Sequence, residues 1–180
     1  MKAIFLDRDG TLNPDTGYLN HPDQFDLYPG VAHALLKAQN AGFALVLVSN
    51  QSGVGRGLIT MEQIQSIHSK LDRLLADVGV KISLYSLCFH RPDENCACRK
   101  PSPKLILDAA QQLKIDVTQS YMVGDRMSDL GCGLNAKVKK VFLVKTGDGQ
   151  KEFEKNKNEI KFPAFVVENL QQAIDQILKD

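Results

Sequence analysis

Short aliphatic and β-branched runs recur along this 180-residue chain, and each is followed by a longer segment with helical spacing. The runs are "KAIFL" (2–6), "ALVLV" (44–48), "LYSLC" (84–88), "SYMVG" (120–124) and "KVFLV" (140–144), and they read as buried strands. Between them, Val31–Asn40, Met61–Asp77, Pro103–Leu113 and Ser128–Ala136 have helical composition, and "AFVVENLQQAIDQILKD" adds a last strand and a C-terminal helix. Repeated strand–helix alternation predicts an α/β fold with a doubly wound, Rossmann-like, mostly parallel sheet. Ligands in such sheets bind at the carboxyl ends of the strands. The polar clusters of this sequence fall just after strands, so they are expected to meet on one edge.

With 43% hydrophobic residues the chain can build one well-packed domain, here taken as residues 1–180, and is short for two. The segments between strands leave no room for a separate cap domain. Asn13–Pro29, rich in turn residues, is expected to form a small flap, and Lys145–Lys161 is expected to be the most mobile stretch, with no chemistry assigned. A formal net charge of +1 and the lack of a basic stripe speak against nucleic acid as a partner. No run approaches the roughly 18 apolar residues a membrane span requires. The first apolar run begins at residue 3 and meets Asp7, so no secretory leader is expected. A cytoplasmic monomer acting on a small soluble substrate is the expectation, and in that compartment clustered cysteines more often bind metal than pair.

"IFLDRDGTLN" sets Asp7 and Asp9 after a buried run, with Gly10 and Thr11 following. Residues two apart in extended chain project to one side. Two such carboxylates repel unless a cation or a proton lies between them. The pair suits phosphoryl transfer, in which one carboxylate attacks phosphorus, the other protonates the leaving oxygen, and Mg²⁺ neutralises charge. A bare Asp-x-Asp would more simply be a solvated turn; the apolar run before it and the Gly-Thr after it favour chemistry.

The sequence resembles the haloacid dehalogenase superfamily of phosphatases, whose first motif is a strand ending in DxDGT. That resemblance covers nearly the whole chain. It implies that Ser49, in "LVLVSNQSG", hydrogen-bonds a phosphoryl oxygen and that Lys100 neutralises the same group. In "VGDRMSD" it implies that Asp125 completes the Mg²⁺ shell with Asp7 and a backbone carbonyl at Asp9, supported by Asp129.

"CFHRPDENCACRKP" crowds Cys88, His90, Cys96 and Cys98 into eleven residues, directly ahead of Arg99 and Lys100. Ligand type and number match tetrahedral zinc, and four protein ligands leave no open position, so the ion would be structural. A Cys96–Cys98 disulfide would close a strained ring, and independent thiols are the plainer alternative. The zinc would order a loop poor in apolar residues and so aim Arg99 and Lys100. Cys132 is expected to be simply buried, and His21, His33 and His68 to be surface or packing residues. "GVGRG" (53–57) lacks the Lys-Ser/Thr of a nucleotide loop and reads as turn glycines, with Arg56 within reach of a second phosphate or a sugar hydroxyl.

The cysteine–histidine loop is similar to that of the superfamily branch holding D-glycero-D-manno-heptose 1,7-bisphosphate 7-phosphatases and histidinol-phosphate phosphatases. In that branch Asp7 would be nucleophile and Asp9 acid and base. Asp15, Thr16, Gly17 and Tyr18 would face substrate together with Asn50, Gln51, Ser52, Arg99 and Arg126. "GYLNHPDQFDLYPGV" and "NQSGVGRG" resemble the heptose enzymes more. The expected activity is therefore Mg²⁺-dependent hydrolysis of the 7-phosphate through an aspartyl-phosphate, supplying nucleotide-activated heptose for the lipopolysaccharide core. The alternatives are histidinol-phosphate hydrolysis and, from another class, a non-catalytic zinc-stabilised module that binds phosphate.

Overall fold

A computed structural model describes residues 1–180. Six strands form one parallel sheet: β1 (Lys2–Leu6), β2 (Phe43–Asn50), β3 (Leu84–Cys88), β4 (Tyr121–Gly124), β5 (Lys140–Val144) and β6 (Ala164–Val167). Their spatial order is β3-β2-β1-β4-β5-β6. The chain winds outward from β1 one way and then, from β4, the other way. The order therefore reverses between β1 and β4, the place where a crevice opens at the strands' carboxyl ends. The register sets Leu6 beside both Leu47 and Val123, so Asp7 leaves the sheet level with Gly124, one residue before Asp125.

Seven helices flank the sheet: α1 (Val31–Asn40), α2 (Ser52–Gly55), α3 (Met61–Ala76), α4 (Lys104–Leu113), α5 (Met127–Asn135), α6 (Gly149–Asn156) and α7 (Leu170–Ile177). Alternate strand residues feed two cores. Ile4, Leu6, Leu45 and Leu47 pack with Leu35, Leu71 and Ile174 on one side. Ala3, Phe5, Val46 and Val48 pack with Ile106, Leu130 and Cys132 on the other. Both faces of the central strands are covered, which is why they read as unbroken apolar runs. Thr60 and Gln63 close a capping box at the start of α3, stopping that helix short of the glycine loop before it.

The structure moves several expected boundaries. β2 extends to Asn50, so Ser49 is part of the strand rather than just beyond it. "GVGRG" is not only turn: Ser52–Gly55 form the short α2. Lys145–Lys161, expected to be the mobile stretch, carries α6, and its first residues pack into the crevice. The flap after β1 is pinned by the buried side chains of Leu12, Leu19 and Phe25, leaving the turn around Gly17 at the surface. No helix is long and apolar enough to cross a membrane.

Ser120 ties the foot of the sheet together. Its buried hydroxyl accepts from Ala3 N at 2.9 Å and donates to Asp116 O at 2.7 Å. In Ser120→Ala the Ala3 N–H would lose its acceptor inside the protein, a loss of about 1–3 kcal/mol. Urea unfolding measures it. A change below about 0.5 kcal/mol, the scatter of neutral surface substitutions, would show that the bond matters little.

Candidate active site

At the reversal point, β1 delivers Asp7 and Asp9, β2 delivers Ser49, and β4 delivers Asp125. The loop after β3 brings Lys100 in from the side. Its Nζ donates to Asp7 Oδ1 at 2.6 Å and to Val48 O at 2.9 Å, and lies 2.6 Å from Asp129 Oδ1. Asp129, in the first turn of α5, also accepts from Arg126 N at 2.9 Å, closing the helix start. All these side chains except Asp9's are buried.

Carboxylate oxygens of Asp7, Asp125 and Asp129 lie within 4.8 Å of one another. Burial pushes the Asp7 carboxyl up to about 6, with Asp129 and Asp9 adding to the rise against the pull of Lys100. Burial, then Asp7 and Asp129, push Asp125 up to about 8. Three acids facing one lysine leave an uncompensated negative charge. Asp125 Oδ2 accepts from Asp148 N at 2.8 Å, but its Oδ1 is buried without a donor. A hard, unpaired oxygen in an acidic, water-poor pocket fits a hard divalent cation.

Asp9 is held differently. Burial would raise it, but the charge and hydrogen bonds of Arg8 outweigh burial and keep the carboxyl below its usual range. Arg8, absent from the expected site, is the largest fully buried side chain of the protein. Asn13, four residues on, donates to Asp9 Oδ1 at 3.0 Å and was equally unforeseen. The hints were there: a charged residue wedged inside "DRD" at the end of a buried strand, and an Asn one turn later.

A cavity of about 380 Å³ opens over these groups. Asp7, Asp9, Ser49 and Lys100 form part of its lining, and so do Asp15, Gly17, Tyr18, Asn50, Ser52, Arg99 and Arg126. The sequence-predicted set therefore largely converges. Three residues do not line the cavity: Thr16 and Arg56, which are exposed, and Asp125, which is buried beside Asp7 and Asp129. Gln51 does line it, but its amide is already engaged, donating to Asp9 Oδ2 at 3.0 Å and Ser49 Oγ at 2.9 Å and accepting from Arg8. Arg126 Nη2 lies 2.9 Å from Asp15 Oδ2 and from Asp148 Oδ2, so its charge is countered on both sides. Arg99 is freer: it reaches only His90 O, at 3.5 Å. Asn50 grips the backbone of Lys100, accepting from its N–H at 3.1 Å and donating to its carbonyl at 3.4 Å.

Ligand atoms of Cys88, His90, Cys96 and Cys98 also fall within 4.8 Å of one another. His90 Nδ1 is 3.6 Å from Cys88 Sγ and 3.3 Å from Cys98 Sγ, and Cys88 Sγ is 3.6 Å from Cys96 Sγ. Zinc–sulfur bonds of about 2.3 Å give tetrahedral edges of roughly 3.8 Å, close to these values. The Cys88–Cys98 edge is tighter, at 2.8 Å. All four cysteines are free thiols, so the Cys96–Cys98 disulfide is not formed, and Cys132 is buried as expected. Of the remaining histidines, His21 is exposed, and His68 is buried against Tyr85.

Comparisons with known proteins agree with this geometry. The family model described as HAD-hydrolase-like matches residues 97–173. A D-glycero-beta-D-manno-heptose-1,7-bisphosphate 7-phosphatase of Yersinia pestis is 46% identical over 81% of this chain and 81% of its own. A protein of the same name from Helicobacter pylori strain J99 is 38% identical over 98% of this chain and 97% of its own. Among solved structures, the D,D-heptose 1,7-bisphosphate phosphatase of B. bronchiseptica, complexed with magnesium and phosphate, superposes with a TM-score of 0.93. It is 35% identical and matched over 99% of both chains.

Gly10 lies tightly against the Asp125 carboxylate. Its φ is +81°, and a Cβ there would come within 2.0 Å of Asp125 Oδ2. Gly17 has a similar φ of +89° but open space around it. Gly17→Ala should therefore cost about 1 kcal/mol from backbone strain alone. Gly10→Ala adds displacement of a buried carboxylate and should cost about 3 kcal/mol or more. Denaturant midpoints of the two variants separate the terms, and equal losses would mean that Asp125 yields freely.

Proposed function

The chain belongs to the haloacid-dehalogenase-like phosphatases, in the branch of the heptose 1,7-bisphosphate 7-phosphatases, and on that ground we propose that it removes the 7-phosphate of D-glycero-D-manno-heptose 1,7-bisphosphate. The observation that carries this reading is the meeting of Asp7, Asp9, Ser49 and Lys100 in one cavity whose apolar lining is only Tyr18 and Ile59. So polar a cavity suits a phosphorylated sugar. Asp7 attacks phosphorus and forms an aspartyl-phosphate while Asp9 gives its proton to the leaving oxygen. Water then attacks the same phosphorus, and Asp9 takes its proton. Ser49 Oγ and Lys100 Nζ hold the phosphoryl oxygens throughout. Asp7, Asp125 and a backbone carbonyl at Asp9 would hold Mg²⁺, which would screen the negative charge of the transferring group.

Preference for a second phosphate falls to Arg99, whose planar fork is nearly unengaged. Arg126, expected to face substrate, is already matched by Asp15 and Asp148. A cationic substrate such as histidinol phosphate gives Arg99 nothing to bind and meets its repulsion. The set of Cys88, His90, Cys96 and Cys98 supports a structural zinc ion that orders the loop behind Arg99. The same reading carries a cytoplasmic location, action as a monomer, and a place in supplying activated heptose for lipopolysaccharide.

Three outcomes test these assignments. Catalytic efficiency measured side by side should favour the heptose bisphosphate over histidinol phosphate, and Arg99→Ala should reduce it about tenfold to a hundredfold more on the bisphosphate than on a plain monophosphate. Equal efficiency on histidinol phosphate would remove the heptose assignment and leave the phosphatase one. Asp7→Asn should abolish turnover while the fold survives; substantial hydrolysis by a pure preparation would point to direct attack by water. Protein purified without added metal should carry one zinc per chain, and Cys96→Ser should lose both the zinc and thermal stability, since metal affinity and loop order are linked.

A further inference from the structure

Arg8 stands between the two reacting aspartates and is sealed from water, 1% exposed. Burying a guanidinium is costly unless its donors find acceptors. Its Nε donates to Asp9 Oδ1 at 3.1 Å, and its Nη2 donates to Asp9 Oδ2 at 2.7 Å and Gln51 Oε1 at 3.2 Å. Nη1 lies 3.4 Å from His68 Nε2. His68 stacks on Tyr85 with 4.4 Å between ring centroids, and the Tyr85 hydroxyl donates to Asp72 at 2.6 Å. Arg8 is thus braced from behind by α3 and forks side-on around both oxygens of Asp9 in front. Gln51, its other acceptor in front, donates in turn to Asp9 Oδ2 at 3.0 Å. Asp9 is the one carboxylate that pairs with Arg8, and it takes donors on both oxygens.

We propose that Arg8 is a positioning residue for Asp9. It fixes the direction of that carboxylate and so governs the proton-transfer half of the reaction, while Ser49 and Lys100 govern phosphoryl binding. This rests on the reading of Asp9 as acid and base. The Asp9 side chain is 20% exposed and lines the cavity. Gln51 lines the cavity too, so its single bond to Asp9 Oδ2 is the one that a leaving oxygen or a water exchanges, while the bond from Asn13 and the fork of Arg8 stay sealed. In the first step the Asp7–phosphorus bond forms as the bond to the leaving oxygen breaks, and the proton on Asp9 passes to that oxygen. In the second, the water–phosphorus bond forms, the Asp7–phosphorus bond breaks, and the water proton passes to Asp9.

The kcat/KM values for a series of phosphate monoesters, from p-nitrophenyl to alkyl, read the first step alone. A leaving group that is stable as an anion needs no proton, whereas an alkoxide does. Arg8→Met, checked for folding by thermal melting, should lose at least about tenfold more efficiency on alkyl than on p-nitrophenyl phosphate, in the same sense as Asp9→Asn. Equal losses along the series, with Asp9→Asn still discriminating, would overturn the role of Arg8 and leave it a packing group. A lack of discrimination in Asp9→Asn itself would overturn the proposal by removing the acid–base reading beneath it. If Arg8→Met does not fold, Arg8→Lys takes its place: it keeps the charge without the fork, so it too should discriminate, and equal losses in it count against the proposal.

Discussion

Lys100 is a buried ammonium 2.6 Å from each of two buried carboxylates, Asp7 and Asp129, and much of the architecture exists to make that contact possible. Burial, the largest single effect, opposes its charge, but the charges and hydrogen bonds of the two acids together outweigh it and raise its affinity for the proton. Removing either side would strand the other in a water-poor place, which is a severe cost. The three residues come from three separate parts of the chain, so the contact demands a sheet that brings distant strand ends to one level. A parallel sheet whose order reverses between β1 and β4 does this, because the ends of both central strands open into the same crevice. The lysine alone arrives from outside the two central strands, on a loop after the edge strand β3. That loop has few apolar side chains to hold it, and the cluster of sulfur and imidazole beside it takes the place of a core.

Much of this was legible from the sequence, because the signals were local. The apolar runs identify strands whose two faces are both covered; DxDGT, SNQS and GDRMSD each sit at the strand end that presents them, and RK directly follows the cysteine–histidine cluster. What could not be read depends on contacts between distant residues. Arg8 finds its partners 43 and 60 residues away, at Gln51 and His68. Asp148 meets Asp125 across 23 residues, from a stretch whose charged composition suggested only mobility. Charge there serves the crevice: Thr146 Oγ1 donates to Gly10 O at 2.6 Å and the Asp148 amide caps a buried carboxylate. Gln51 was rightly placed at the cavity, but its neighbours already engage its amide, and no motif records that. Arg126 likewise looked like a free cation because its two acids lie elsewhere in the chain.

The first aspartate and the third residue of the motif are prepared in opposite ways by their surroundings. Asp7 lies among other acids, and burial pushes its carboxyl up to about 6 against the pull of Lys100. Asp9 lies against a guanidinium, whose charge and hydrogen bonds keep its carboxyl below the usual range. Two chemically identical side chains that line one cavity thus acquire different characters from their nearest neighbours, buried acids and Lys100 for Asp7 and the guanidinium of Arg8 for Asp9.

Asn50 adds something the cavity alone would not suggest. By binding both the N–H and the carbonyl of Lys100, its side chain fastens that backbone directly to the end of β2. Arg99, one residue earlier, has no such tie and depends on the order of the cysteine–histidine loop. The two neighbouring cations are therefore moored to different bodies, one to the sheet and one to the loop. On the proposed roles, disturbance of the loop would reach Arg99 more directly than Lys100, which Asn50 ties to β2. Loop changes would then retune the choice of ester ahead of the reacting centre, a route by which one scaffold could diverge toward new esters.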